Sequence, residues 1–144
     1  MEVSFYQLLK TPLEKALPKL VEKIYQGGYR VLIVCESQER VEALNTVLWT
    51  FSPGAFVPHG YEGDPKHQPI WLTTELKNVN EATLVIITNG AYVESSEFEK
   101  CLDVFDGNDE LSLKRARDRY TKYKNAGFPM AFWRQSETGA WETI

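Results

Sequence analysis

Apolar and polar positions along the chain change period several times, and each change marks an element. "VSFYQLL" (3–9) is apolar and partly alternating, which predicts a first strand. "TPLE" (11–14) follows, with Thr11 at the N-cap position, Pro12 at N1 and Glu14 at N3, the arrangement of a capping box. Leu13, Leu17, Leu20, Val21 and Ile24 then share one helical stripe. Pro18 interrupts that stripe and predicts a kink or a restart, and Gly27-Gly28 a left-handed helix end.

"YRVLIVC" (29–35) is an almost continuous apolar run, the pattern of a strand covered on both faces. Ser37 caps a second helix whose inward stripe is Val41, Leu44 and Leu48, with Trp49 at its end. Residues 52–69 hold four of the seven prolines and three glycines, an irregular loop that nevertheless contains Phe56, Val57 and Tyr61. "PIWLTT" (69–74) and "TLVIIT" (83–88) are further strands, separated by the turn "NVNEA". Glu97, Phe98, Cys101 and Leu102 suggest a brief helix, and "LDVFDG" (102–107) a strand. Asp109 or Ser112 caps a last helix that runs to about Ala126 and stops at Gly127. "MAFWRQ" (130–135) is a final strand, and "SETGAWETI" carries no pattern. This order predicts an α/β fold over residues 1–144 as one domain, with helices on both faces of a sheet. The sheet should be parallel in the middle, with one or two antiparallel edge strands.

Composition changes this picture little. At 144 residues, 43% hydrophobic and 25% charged, the chain can bury a sizeable core. The longest apolar runs are of strand length, short of the roughly 18 residues a membrane span needs. "MEVSFYQLLK" has neither the basic nor the apolar region of a secretory signal, so the expectation is a cytoplasmic protein with no membrane partner. Cys35 and Cys101 lack C-x-x-C or C-x-x-H spacing and are read as buried, reduced thiols.

Phosphate binding on such a sheet requires glycines directly after a strand, where backbone N–H groups approach the anion. "KTPLE" follows the first strand and "ESQER" the second; neither has a glycine, and Glu36 would repel a phosphate. His59 and His67 lie in the proline-rich loop beside Glu62 and Asp64, which reads as a solvated turn instead of a metal set. No G-x-S-x-G elbow occurs. The sequence therefore predicts no catalytic residues, no cofactor and no metal.

Charge is informative once it is divided. Lys114, Arg115, Arg117, Arg119, Lys122 and Lys124 face only Asp118 within 113–124, a local sum of +5 in a chain of −4, so the remainder carries −9. That balance argues against a general nucleic-acid binder and for a short acidic ligand held at one site. On a helix, Leu113, Ala116, Tyr120 and Tyr123 form an inward stripe. Lys114, Arg117, Thr121 and Lys124 share the neighbouring face, and Arg115, Arg119 and Lys122 the other side. With Asp118 the sole internal partner, the helix should repel itself unless something external neutralises it. Arg117 beside Tyr120 makes a cation rimming an aromatic notch, suited to a ligand with an anionic and an apolar end. The alternative is direct binding of single-stranded nucleic acid by the helix 113–126 and its tyrosines.

The order and spacing of "VSFYQLL", "RVLIVC" with a helix ending "LW", "AFVPHG", "GDPKHQPIWLT" and "RARDRYTKYKNAGF" resemble the chi subunit family of bacterial DNA polymerase III. The resemblance covers nearly the whole chain. It implies a Rossmann-like three-layer α/β sandwich and a non-catalytic adaptor of the clamp-loader assembly. Such an adaptor would bind the acidic C-terminal tail of the single-stranded-DNA-binding protein and touch DNA only indirectly. That tail carries aspartates and ends in a phenylalanine with a free carboxylate. The family's key arginine matches Arg117 and its tyrosine Tyr120. Thr121 stands where a further lysine is usual, which leaves Lys114, Lys122 or Lys124 to compensate. A second surface, for the psi subunit or another replisome or helicase-like partner, corresponds to Trp49 and Phe56.

Overall fold

The structure, a computed structural model, describes residues 1–51, 58–94 and 97–144. Chain order is β1 (Glu2–Leu8), α1 (Leu13–Gln26), β2 (Val31–Val34), α2 (Gln38–Thr50), a 3₁₀ turn (Pro65–His67), β3 (Ile70–Thr73), β4 (Leu84–Ile87), β5 (Lys100–Asp106), α3 (Glu110–Asn125), β6 (Met130–Gln135) and β7 (Trp141–Thr143). The strands form one sheet in the order β3-β2-β4-β5-β1-β6-β7. All neighbours pair parallel except β7, which runs antiparallel to β6 at the edge.

Alternation along each strand sorts side chains into two cores. Leu8, Val31, Ile33, Leu84, Ile86, Leu102 and Val104 pack under α1 and α2, with Leu17, Val21, Val41, Leu44 and Leu48. Val3, Phe5, Leu32, Val34, Val85, Ile87, Cys101 and Phe105 pack on the opposite face against Ala116 and Tyr123 of α3. The result is the three-layer α/β sandwich with a mostly parallel sheet. Because both faces are covered, the central strands read as unbroken apolar runs; all of Val31–Val34 is buried. Phe5 centres the α3 core, edge-on to Phe105, Tyr120 and Tyr123 and parallel to Phe132 at 6.2, 5.5, 6.0 and 6.1 Å between ring centroids.

Several local expectations give way to longer-range contacts. Thr11 does not cap α1: the N-cap is Pro12, with no side-chain bond. The Thr11 hydroxyl instead accepts from Nε2 of Gln135 at 2.7 Å, and Glu14 pairs with Arg40. Pro18 is buried within a single uninterrupted helix, so no restart occurs; the helix merely forgoes one bond to the Glu14 carbonyl. The brief helix expected around Phe98–Leu102 is absent. Cys101 and Leu102 already belong to β5, one on each face, and their spacing from Phe98 is that of core positions reached from a turn. The unpatterned tail contributes β7, held by pairing with β6 and by Trp141. Ser37 does cap α2, accepting from the Arg40 N–H at 3.2 Å.

Candidate functional site

Helix α3 is fixed at both ends. The Asp109 carboxylate accepts from the Ser112 N–H at 3.3 Å, and Gly127 (φ +89°) turns the chain out, with the Phe128 N–H returning to the Tyr123 carbonyl at 3.3 Å. Ala116 and Tyr123 are fully buried, while Leu113 and Tyr120 are half-buried at the border of the core. Tyr123 stacks on Tyr92 at 4.2 Å, and its hydroxyl accepts from the Val93 N–H at 2.8 Å.

The six cations are not equivalent. Arg119 reaches over the sheet to Asp103 of β5, with Nε–Oδ2 at 2.7 Å and Nη2–Oδ1 at 2.9 Å. The pair is dry: the Asp103 side chain is 1% exposed and that of Arg119 11%. Burial pushes the Asp103 carboxyl up, and Arg119 pulls part of that back. Gly90 (φ +77°) lies against this guanidinium; a Cβ there would stand 3.2 Å from Nη1. Lys122 Nζ sits 3.9 Å from the centroid of Tyr92. The expectation that α3 has no internal partner beyond Asp118 is therefore corrected. Arg119 was invisible as a paired group because its acid lies sixteen positions upstream, on another element.

Lys114, Arg117, Thr121 and Lys124 are exposed on the remaining face. Among the described residues, Arg117, Lys114 and Lys124 take part in no ion pair. The Thr121 hydroxyl donates to the Arg117 carbonyl at 3.1 Å, so its side chain lies along the helix instead of projecting a charge. Tyr120, one turn beyond Arg117, rests edge-on against Phe5 and Phe132 at 5.5 and 5.9 Å. Arg117 is thus exposed, and Tyr120 half-buried one turn further on.

On the other side of the sheet, Trp49 at the end of α2 is 53% exposed, and its ring lies 4.7 Å from that of His59. Phe56 lies outside the described residues. His59 is not the solvated loop residue expected: it is buried, with Nε2 3.2 Å from the Asn45 carbonyl, whereas His67 is exposed and 3.4 Å from Asp64.

A cleft of about 670 Å³ opens where the parallel strands end, the usual ligand crevice of such sheets. It is lined by Glu14, Glu36, Asp106 and Asp109 as well as Arg40 and Arg115. Directly after β1, where a phosphate would need free donors, the N–H groups of Leu9, Lys10 and Thr11 all donate to Oε1 of Gln135, at 2.9, 3.0 and 3.2 Å. A side chain of β6 fills the anion position. Among the described residues no three His, Cys, Asp or Glu converge as a metal set, and no helix is long and apolar enough to cross a membrane.

Residues 1–131 match the sequence profile of the family described as "DNA polymerase III chi subunit, HolC". "Probable DNA polymerase III subunit chi" of Rickettsia prowazekii is 36% identical over 88 residues, 60% of this chain and 53% of that protein. The chain thus spans about half the length of that relative. "DNA polymerase III subunit chi" of Haemophilus influenzae is 27% identical over 83% of this chain and 85% of its own. Its Escherichia coli counterpart is 26% identical over 85% and 86%. The solved structure of T4 UvsW superposes with a TM-score of 0.65 at 12% identity, over 92% of this chain and 41% of that one, a likeness of fold. Because the profile spans residues 1–131 of 144, the chain belongs to the DNA polymerase III chi subunit family.

Proposed function

We propose that this chain is a non-catalytic accessory subunit of a DNA polymerase III assembly, working in the cytoplasm as an adaptor in DNA replication. Its α3 notch would capture the acidic C-terminal tail of the single-stranded-DNA-binding protein. One observation carries the reading: Arg117 is exposed and unpaired among the described residues beside half-buried Tyr120, while Arg119, two positions on, is held by Asp103. Lys114 and Lys124 flank Arg117 by one and two turns and would meet the tail's aspartates. Thr121 adds no charge, so these lysines take the place of the one it lacks. The exposed aromatic Trp49, with Phe56, would serve a second partner such as the psi subunit.

An ion pair at an exposed arginine is worth under about 1 kcal/mol. To reach the roughly 1.5–3 kcal/mol of a charge-assisted contact, the tail must exclude water from Arg117. Its terminal phenylalanine, laid against Tyr120 with its carboxylate on the guanidinium, does that. Fluorescence anisotropy with a tail peptide tests this. Arg117→Ala should weaken binding about tenfold or more, and deleting the terminal phenylalanine should hurt as much as neutralising the aspartates. Equal binding by wild type and Arg117→Ala would remove the site. Direct nucleic-acid binding by α3 is disfavoured because Tyr123 is fully buried, which leaves half-buried Tyr120 as the helix's single reachable tyrosine and no run of stacking positions.

A further inference from the structure

Period-two alternation places Tyr6 of β1 and Trp133 of β6, paired in register, on the face of the sheet that carries α1, and Trp141 of β7 on that same face. Tyr6 and Trp133 lie nearly parallel, with centroids 6.2 Å apart and planes 10° apart, and Trp141 stands edge-on to Tyr6 at 5.0 Å. All three are half-buried, because α1 covers only the inner part of this end of the sheet. The uncovered part is a groove of about 360 Å³ between the aromatic rings and α1.

The α1 wall presents Lys15, Lys19 and Lys23, each four residues from the next, so they stand in one row about 6 Å apart along the axis. All three are exposed, and among the described residues none is in an ion pair. Among the described residues no carboxylate lines the groove, in contrast to the cleft at the strand ends. Glu14 of α1 is turned away to Arg40, and Glu22 is not among the lining residues.

We propose that this groove is a second binding site, on the face opposite α3, and that it takes a short stretch of single-stranded nucleic acid. Bases need only a π-face and phosphates only a cation, and the groove supplies both: the near-parallel rings of Tyr6 and Trp133 with Trp141 standing across them, and a row of three ammonium groups. A bound peptide would also need hydrogen-bond partners for its backbone, and the Gln135 carboxamide in the groove is already engaged with the β1 loop and Thr11. The negative charge elsewhere on the chain confines contact to a few nucleotides. This site is independent of the tail-binding reading, since it shares no residue with the α3 notch.

The test is anisotropy of a short fluorescein-labelled oligo(dT) against the full chain across a salt series. With three phosphates neutralised, the slope of log K against log salt should be about −2. Replacing Lys15, Lys19 and Lys23 together by Gln, all exposed and so harmless to folding, should flatten that slope and weaken binding at least about tenfold. Trp141→Ala should weaken it while Trp141→Phe keeps most of it, as stacking requires. Arg117→Ala should leave oligonucleotide binding unchanged, which separates this site from the notch. No binding by wild type at low salt would overturn the proposal, as would lysine-dependent binding of an acidic peptide without binding of the oligonucleotide.

Discussion

The cleft at the C-terminal ends of the strands and the outer face of α3 are both rich in charge, but they differ in what those charges already do. In the cleft, Arg40 lies between Glu14 and Glu36, Arg119 is clamped by Asp103, and three backbone donors after β1 converge on Gln135. On α3, Lys114, Arg117 and Lys124 project into water with no ion pair among the described residues. A sheet of this topology puts its crevice in the first place. Lys10 and Arg115 there also lack an ion pair among the described residues, but they share the lining with Glu14, Glu36, Asp106 and Asp109. The larger uncompensated positive charge is in the second. Binding capacity follows the groups left unsatisfied by the fold, more than the number of charges or the size of the hollow.

The sharpest way to break this contrast is to remove a charge from each side. Arg119→Ala leaves the Asp103 carboxylate buried without its partner and should cost about 3–5 kcal/mol in urea unfolding. Replacing both by apolar residues of similar volume should recover much of that. If Arg119→Ala is as stable as wild type, the pair is not dry and Arg117 and Arg119 are alike.

Gln135→Ala is next. It strips Leu9, Lys10 and Thr11 N–H groups of their common acceptor, at a cost of about 1–3 kcal/mol. Inorganic phosphate should then raise the melting temperature of the variant but not of wild type, because the vacated oxygen position is surrounded by donors. Phosphate stabilising both equally would mean that the side chain does not occupy the anion position.

The internally satisfied region also predicts an alkaline limit. Burial raises Cys35 from 9.0 to about 11 and Cys101 to about 12, and it raises Tyr6 and Tyr123 as well. Above about pH 9 the unfolded chain releases thiol protons that the folded chain keeps, so stability is complete below that pH and declines as pH rises through the folded values. The slope is about 1.4 kcal/mol per pH unit for each thiol. Thiol-reactive probes should accordingly label neither cysteine of the native protein at neutral pH, and both after unfolding; rapid native labelling would contradict their burial.

What could be read from the chain beforehand follows the range of the interactions. β2, β4 and β6 were legible because burial on both faces or clean ends leaves a local signature, and α3 because Asp109 and Gly127 mark its limits. The inward stripe of α3 was legible from spacing alone. The misread cap at Thr11 and the pairing of Arg119 depend on Gln135 and Asp103, distant in sequence, which no local window contains. β7 has three residues and exists through its pairing with β6. The lysine row of α1 has no local signature as a site, because its partners in the groove come from β1, β6 and β7, at both ends of the chain.

The smallest expected effect on folding is at Arg117, and it is the most telling. An exposed side chain with no ion pair should be replaceable by Ala within about 0.5 kcal/mol of wild-type stability. Two residues away, the same substitution at Arg119 should be severe. If Arg117→Ala unfolds with the wild-type midpoint and loses the tail peptide, the arginine is kept for an external acid and not for the fold. If it destabilises the protein comparably to Arg119→Ala, Arg117 has an internal role, and the contrast between a satisfied cleft and an unsatisfied helix face collapses.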